Sequence, residues 1–324
     1  MKTQSFYSLL AGALLLGFSF SSCQKDDSNV ASLTQTATVA AAKDDETVDA
    51  ISDKVEQDAD AIADEIESNN FSSTKSGSDW GCVQVTVDRP DTVRFPKVIT
   101  LTYDCMDTIN GEIFGQKGVI KITVEKTASV KKLPWTRLVK RTVEFQNFMV
   151  ITDSTSVTLN GLRTMSRKDI QITTYDNLNK LRYNILDTIS ANYTFAIAYN
   201  DTVRTMTRIV EKSRNAILHF EKFHNWHPYF FNDSIIMKGK VTGVNASGLN
   251  YSNVITNPII INHCPYKHNV NVITKGTKEY TVGNNSPAVI KYSSDGCKTI
   301  IEITKDGETK TIERVFGRKF HRWW

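Results

Sequence analysis

From Trp80 to Trp324 the polarity of the chain alternates with a period of two, and this restricts the fold more than any other feature. The segments "CVQVTVD", "KVITLTYD", "GVIKITVEK", "TRLVKRTVEFQNFMVI", "SVTLNGLRTM", "YTFAIAY", "TVRTMTRIVEK", "SIIMKGKVTGV" and "KTIIEIT" are rich in Val, Ile, Thr, Tyr and Phe. Side chains two apart in a strand share a face, so each segment has one apolar side to bury and one polar side to wet. Turn formers separate them: "ING" at 109–111, "LNG" at 159–161, "SDG" at 294–296 and "KDG" at 305–307 supply the positive-φ positions that tight hairpins require. With no alternation of strands and helices, the expected fold is all-β, a predominantly antiparallel sheet arranged as a sandwich or an extended meander over 80–324. "HNWHPYF" and "NHCPYKH" mark a seam near 224–265 where two subdomains would meet, and "TTYDNLNKLRYNIL" is the one segment with a helical alternative.

The residues before Trp80 have a different character. Gln24 to Asp79 carry 14 acidic and 4 basic residues, whereas Trp80 to Trp324 carry 34 basic and 21 acidic. An acidic leader thus precedes a basic body. Residues 23–45 include a Ser/Thr/Ala linker with too little bulk to build a core. In 46–79, Val48, Ile51, Val55, Ala59, Ile62 and Ile66 recur at steps of three and four, which predicts an amphipathic helix over about 46–67, with Asp44 to Glu46 favouring its N-terminal dipole. Such a helix serves as a spacer, lies on the body or forms a coiled-coil stem.

Residues 1–22 have the layout of a secretory signal: Lys2, an apolar run from Phe6 to Phe20, then Ser21 and Ser22 before Cys23. The run is too short for a permanent span, which needs about 20 apolar residues. Phe20, two small residues and a cysteine form a lipobox, so Cys23 is expected to carry a diacylglycerol and become the mature N-terminus. Buried acyl chains contribute about 0.8 kcal/mol per methylene, enough for a lasting membrane anchor when several chains act together. The following "CQKDDS" resembles the short acidic surface-export signal of Bacteroidota lipoproteins. That resemblance implies an outer-membrane protein facing the cell exterior, with a periplasmic orientation as the alternative.

Without Cys23, four cysteines remain: Cys82, Cys105, Cys264 and Cys297. They allow three pairings. Cys82 and Cys264 each open a strand-turn-strand unit closed by Cys105 or Cys297, and "PKVITLTYDC" and "PAVIKYSSDGC" repeat Pro, Val-Ile, Tyr, Asp and Cys in order. The expected bridges are therefore Cys82–Cys105 and Cys264–Cys297, in keeping with an oxidising compartment. No Cys-x2-Cys spacing points to zinc. The runs "GCVQVTVDRPDTVRFPKVITLTYDC", "GVIKITV…RTVEFQNFMV…VTLNGLRTM" and "CPYKHNVNVI…YSSDGCKTIIEITKDGETKTI" are similar to uncharacterised Bacteroidota outer-membrane and surface lipoproteins. Those share "FPKxIxxxYG", "RTVxFxNYxVN" and a closing Cys-bearing unit. This chain departs from the pattern at Asp104, where a glycine is expected, and in "SSDGCK". The resemblance implies fold and location, and no activity.

No catalytic motif of the G-x-S-x-G, H-E-x-x-H, P-loop or Rossmann type occurs, so no enzyme, cofactor or catalytic residue is expected. Three constellations remain. In "HFEKFHNWHPYFF", Trp226 and Tyr229 with His224 and His227 would make a stacking platform for sugar rings. The His224-x-x-His227 pair lacks a third ligand, and no metal is expected. Lys131, Lys132, Arg137, Lys140, Arg141, Arg163, Arg167, Lys168, Arg204, Arg208, Lys212 and Arg214 favour anionic partners: lipopolysaccharide phosphates, acidic glycans or the protein's own leader, against the simpler reading of a solvated sheet face. Nucleic acid does not suit the compartment. Asp-Ser/Thr phrases at Thr92, Thr108, Thr188, Thr202 and Ser234 match an O-glycosylation acceptor, or mark where a chain leaves a turn for a strand. The C-terminal "RVFGRKFHRWW" reads as a last strand with a basic, aromatic tail. These features lead to a lipid-anchored binding protein for a glycan or another envelope ligand. A structural subunit of an envelope assembly is the alternative, and a glycan-active enzyme a weaker third.

Overall fold

The computed structural model describes residues 41–42, 45–46, 48–49, 82–88, 95–109, 112–129, 137–152, 155–175, 180–199, 202–221, 229–263 and 271–315. The body is one antiparallel sheet of thirteen strands paired in chain order, so it is a meander and not a sandwich of two sheets. The strands are β1 (Val83–Val87), β2 (Lys97–Ile109), β3 (Glu112–Ser129), β4 (Arg137–Thr152), β5 (Thr155–Tyr175), β6 (Lys180–Tyr199) and β7 (Thr202–Glu221), then β8 (Tyr229–Val244), β9 (Asn250–His263), β10 (Asn271–Val282), β11 (Ala288–Asp295), β12 (Lys298–Lys305) and β13 (Glu308–Val315). Pairing continues from β7 to β8 and from β9 to β10, across the seam read from the sequence. Among the described residues β1 and β13 each pair on one side only. The helical alternative in "TTYDNLNKLRYNIL" is not taken, since its described residues belong to β5 and β6.

Following the register across the sheet shows how one face becomes the interior. Leu101 of β2 stands opposite Ile120 of β3, Ile120 opposite Phe145 of β4, Phe145 opposite Gly161 of β5, and Gly161 opposite Tyr193 of β6. Tyr193 faces Arg208 of β7, Arg208 faces Gly243 of β8, Gly243 faces Tyr251 of β9, and Tyr251 faces Val282 of β10. This row holds buried side chains, and the alternate positions point to the outer face. A sheet this wide curls as its twist accumulates. One hydrophobic cluster extends along the inner face from Val85 to Ile303, and a smaller one of Ile170, Tyr183, Ile185 and Ala216 fills the far ends of β5 to β8. Between the two clusters, buried Asp187 accepts hydrogen bonds from Arg167 at 3.0 Å and Arg214 at 2.7 Å.

Glycines on this face stand opposite tyrosines: Gly118 with Tyr103, Gly161 with Tyr193, Gly243 with Tyr251 and Gly276 with Tyr292. The missing side chain leaves room for a ring from the next strand. Over Gly161 two rings meet, Phe145 from β4 and Tyr193 from β6, with centroids 5.8 Å apart in an edge-to-face contact. Such a pair contributes about 0.5–1.5 kcal/mol beyond the area it buries. The "LNG" phrase is therefore not a turn: Gly161 lies inside β5 at φ 138°, and a Cβ there would sit 2.1 Å from the Asn192 carbonyl oxygen. Beside it Asn147, at φ 50°, donates its N–H to Asn160 Oδ1 across a bulge in β4. "KDG" behaves as expected, with Asp306 and Gly307 both at positive φ between β12 and β13.

The two ends of the sheet differ. At one end the connections are short: 110–111, 153–154, 200–201, 245–249, 283–287 and 306–307. At the other they are mostly longer: 88–96, 130–136, 176–179, 222–228, 264–270 and 296–297. The Cys82–Cys105 disulfide forms as expected, tying the start of β1 to β2.

Gly161→Ala is expected to destabilise the body by about 2–4 kcal/mol, combining a left-handed backbone with a clash against β6. Gly248→Ala, at φ 78° with open space around the new Cβ, is expected to cost only about 1 kcal/mol. Urea midpoints of the two variants check the order; equal losses would contradict it.

Candidate functional site

Six described residues precede the sheet: Ala41, Ala42, Asp45, Glu46, Val48 and Asp49, all with helical backbone. Ala42 and Val48 join the hydrophobic cluster of the inner face. Of the apolar stripe expected over 46–67 only Val48 is among the described residues, and the rest of that helix lies outside them. Asp45, Glu46 and Asp49 are buried as well, at 0%, 2% and 5% exposure. Three carboxylates in an interior are tenable only with charged partners.

The sheet supplies those partners from two strands. Arg208 on β7 donates from Nη1 to Asp45 Oδ1 at 2.7 Å, and from Nη2 to Asp49 Oδ1. Lys212, four residues further along the same face of β7, donates to Asp49 Oδ1 at 3.2 Å. Lys278 on β10 reaches Glu46 Oε1 at 2.8 Å and Asp49 Oδ2 at 2.9 Å, with its Nζ 5.3 Å from the centre of the Tyr292 ring. Asn253 on β9 donates to the second oxygen of Asp45 at 2.6 Å. On the intervening β8, the residues facing Arg208 and Lys212 are Gly243 and Gly239, so that strand adds no side chain beside the two cations. The floor of the site is therefore low where the leader sits.

Three carboxylates meet three cations. The carboxylate oxygens lie within 4.8 Å of one another, a spacing that would also suit a metal ion. Among the described residues one guanidinium and two ammonium groups match the three carboxylates in number. Burial by itself would raise the Asp49 carboxyl, but Arg208, Lys212 and Lys278 outweigh it and hold the group well below the ordinary 3.8. Asp45 goes the other way. Burial raises it, Arg208 opposes, and the Asp49 and Glu46 charges add to the rise. Burial would lower Lys278, yet Asp49 and Glu46 keep it well above 10.5.

The sequence reading named Arg208 and Lys212 among the basic residues and the leader among their partners; it did not find Lys278, Asp45 or Asp49 as a site. The signal was present as a net charge of −10 against +13 in one chain. The simpler reading of those cations as a solvated face does not hold for Arg141, Arg163 and Arg208, which are buried. It does hold for Lys168 and Arg204, which are exposed.

The other expected sites are scattered. Cys23, Cys264, His224, Trp226, His227 and Thr92 lie outside the described residues. Tyr229 opens β8, opposite Glu221, thirteen residues along β7 from Arg208 and so about 40 Å from the leader site. Tyr229, the one described member of the expected sugar platform, is therefore remote from the leader site. Cys297 is disulfide-bonded to a residue outside the described set. Thr108 and Thr202 are exposed, whereas Thr188 and Ser234 are half-buried inside strands, away from any turn. No protein-family model, curated protein or solved structure matches the chain.

Removing one member of a buried ion pair leaves its partner's charge uncompensated, so Arg208→Met is expected to cost about 3–5 kcal/mol. Asp49→Asn is expected to cost more than Asp45→Asn, because Asp49 meets all three cations. The Asp49 contribution is present above pH 3.8 and is lost as pH falls through its depressed value. Asp45 contributes with the opposite sign, its share present below 3.8 and lost as pH rises through its raised value. The stability gap between the native chain and Asp49→Asn, read by urea denaturation, is therefore full at pH 7 and closes only below pH 3.8. A gap unchanged down to pH 2 would contradict this assignment.

Proposed function

We propose that the chain is a lipid-anchored binding protein of the outer membrane, displayed on the cell surface, that recognises an anionic envelope ligand such as a glycan or lipopolysaccharide. The observation that carries this reading is the basic excess of the body, 34 Lys and Arg against 21 Asp and Glu over 80–324, with Lys168 and Arg204 among its exposed cations. A surface of that charge attracts anionic ligands.

The placement rests on the lipobox at Cys23 and on "CQKDDS", and is supported by the Cys82–Cys105 bridge, which suits an oxidising compartment. The second expected bridge, Cys264–Cys297, agrees with the bonded state of Cys297. The amphipathic helix read from the sequence extends to about residue 67, outside the described residues. The alternative, a structural subunit that uses that helix as its external contact, is less well supported, since Asp45, Glu46 and Asp49 already engage the body.

The acyl group is tested by mass analysis of the mature N-terminus and by fractionation: Cys23→Ser is expected to release the protein from membranes, and an unacylated, freely soluble native chain would overturn the placement. Ligand class is tested by presenting phosphorylated and neutral glycans to the soluble Cys23→Ser protein. Binding confined to the charged members and weakened by salt supports the reading. Equal binding to neutral glycans, or none to either set, opposes it. Loss in Trp226→Ala alone would move the ligand site to the aromatic constellation around Trp226 and Tyr229.

A further inference from the structure

The leader is held as a ligand is held. Its described residues contribute no strand to the sheet; they make ion pairs and hydrogen bonds with partners 159 to 232 residues away in sequence, and apolar packing. Both halves of its chemistry are read: Ala42 and Val48 enter the apolar cluster, while Asp45, Glu46 and Asp49 meet Arg208, Lys212, Lys278 and Asn253. The cations come from β7 and β10, with glycines between them on β8, so the sheet forms a low basic floor lined by Tyr251 and Tyr292. Tyr251 keeps a buried hydroxyl without a hydrogen-bond partner next to Asp45 and Arg208, a group still able to accept a contact. Residues 50–81 separate the leader from the first strand, long enough for the contact to be broken without disturbing the pairing of the sheet.

From this arrangement we infer that the floor formed by Arg208, Lys212, Lys278 and Asn253 is a recognition site for an acidic amphipathic helix, and that the leader is its resident and exchangeable occupant. The pattern it reads is a small residue at i−3, carboxylates at i, i+1 and i+4, and an apolar residue at i+3, with i at Asp45. A partner chain carrying that pattern binds when the leader vacates the floor. The inference stands apart from the ligand proposed above, because glycan binding can fail while helix recognition holds, and the reverse.

The test uses the full chain with a neutralised leader, Asp45→Asn, Glu46→Gln and Asp49→Asn together, and a fluorescent peptide of native residues 38–52 as the probe. Fluorescence anisotropy is expected to show saturable binding to the neutralised chain and far weaker binding to the native one. The peptide with the same three substitutions is expected to bind at least about tenfold more weakly, as the loss of charge-assisted hydrogen bonds requires. A folded neutralised chain, with native circular dichroism and the Cys82–Cys105 bridge intact, that does not bind the native peptide would overturn the inference. Should the triple variant fail to fold, hydrogen exchange on the native chain decides. Amides of 45–49 exchanging while β6 and β7 stay protected support an exchangeable occupant; exchange of the leader only together with the sheet refutes it.

Discussion

Every strand of the sheet shares one inner face, and the register that keeps it shared is the constraint on which the structure depends. Pairing runs in order from β1 to β13, so a slip of one residue anywhere would turn a whole strand over and put its outer residues inside. The aromatic rings and glycines make such a slip costly. A tyrosine opposite a glycine fills the space that the glycine leaves, and four such pairs recur at intervals across the sheet. The same register sets the charges: Arg208 lies in the row of Tyr193 and Tyr251 because of its position on β7, and it could not leave the interior without taking Met206 and Val210 with it.

Buried charge then becomes a question of complement. Arg208, Lys212 and Lys278 in an apolar interior would be prohibitive alone, and the three leader carboxylates make them tolerable. The arrangement is not symmetrical. Asp49 touches all three cations and is held firmly ionised, while Asp45 has one cation and an amide and is pushed toward its neutral form. A second buried carboxylate, Asp187, is treated differently: two arginines of the sheet itself hold it between the two hydrophobic clusters. That contact bolts long strands together, whereas the leader contact joins a segment to the sheet.

How much of this could be read from the chain depends on the range of the signal. Alternation within β2, β4 and β7 is local, and the sequence displays it openly. The stretch that became β9 was missed because Asn, Ser, Thr and Pro interrupt its apolar pattern, and β10 was legible only within the strand-turn-strand unit opened by Cys264; their inner positions hold Asn253 and Lys278 for the leader. "LNG" looked like a turn because glycine serves hairpins and bulges alike; only the neighbouring strand reveals that Gly161 is there to let two rings meet. Cys82–Cys105 was legible since Cys82 stands just before β1 and Cys105 lies on the next strand, β2. The leader site was legible only as an imbalance of charge. Which acid meets which base depends on contacts spanning 159 to 232 residues of the chain, and no local pattern encodes that.

A meander of this kind lets each strand pair with the one just made, so the sheet can zip forward hairpin by hairpin from its N-terminal edge. The leader is an exception to that order. It leaves the ribosome before any strand, yet the lysine that receives Glu46 is 232 residues further on. Its three negative charges must therefore travel in water until β10 is made, so a segment made ahead of the sheet finds its seat only after nine strands have preceded its last partner.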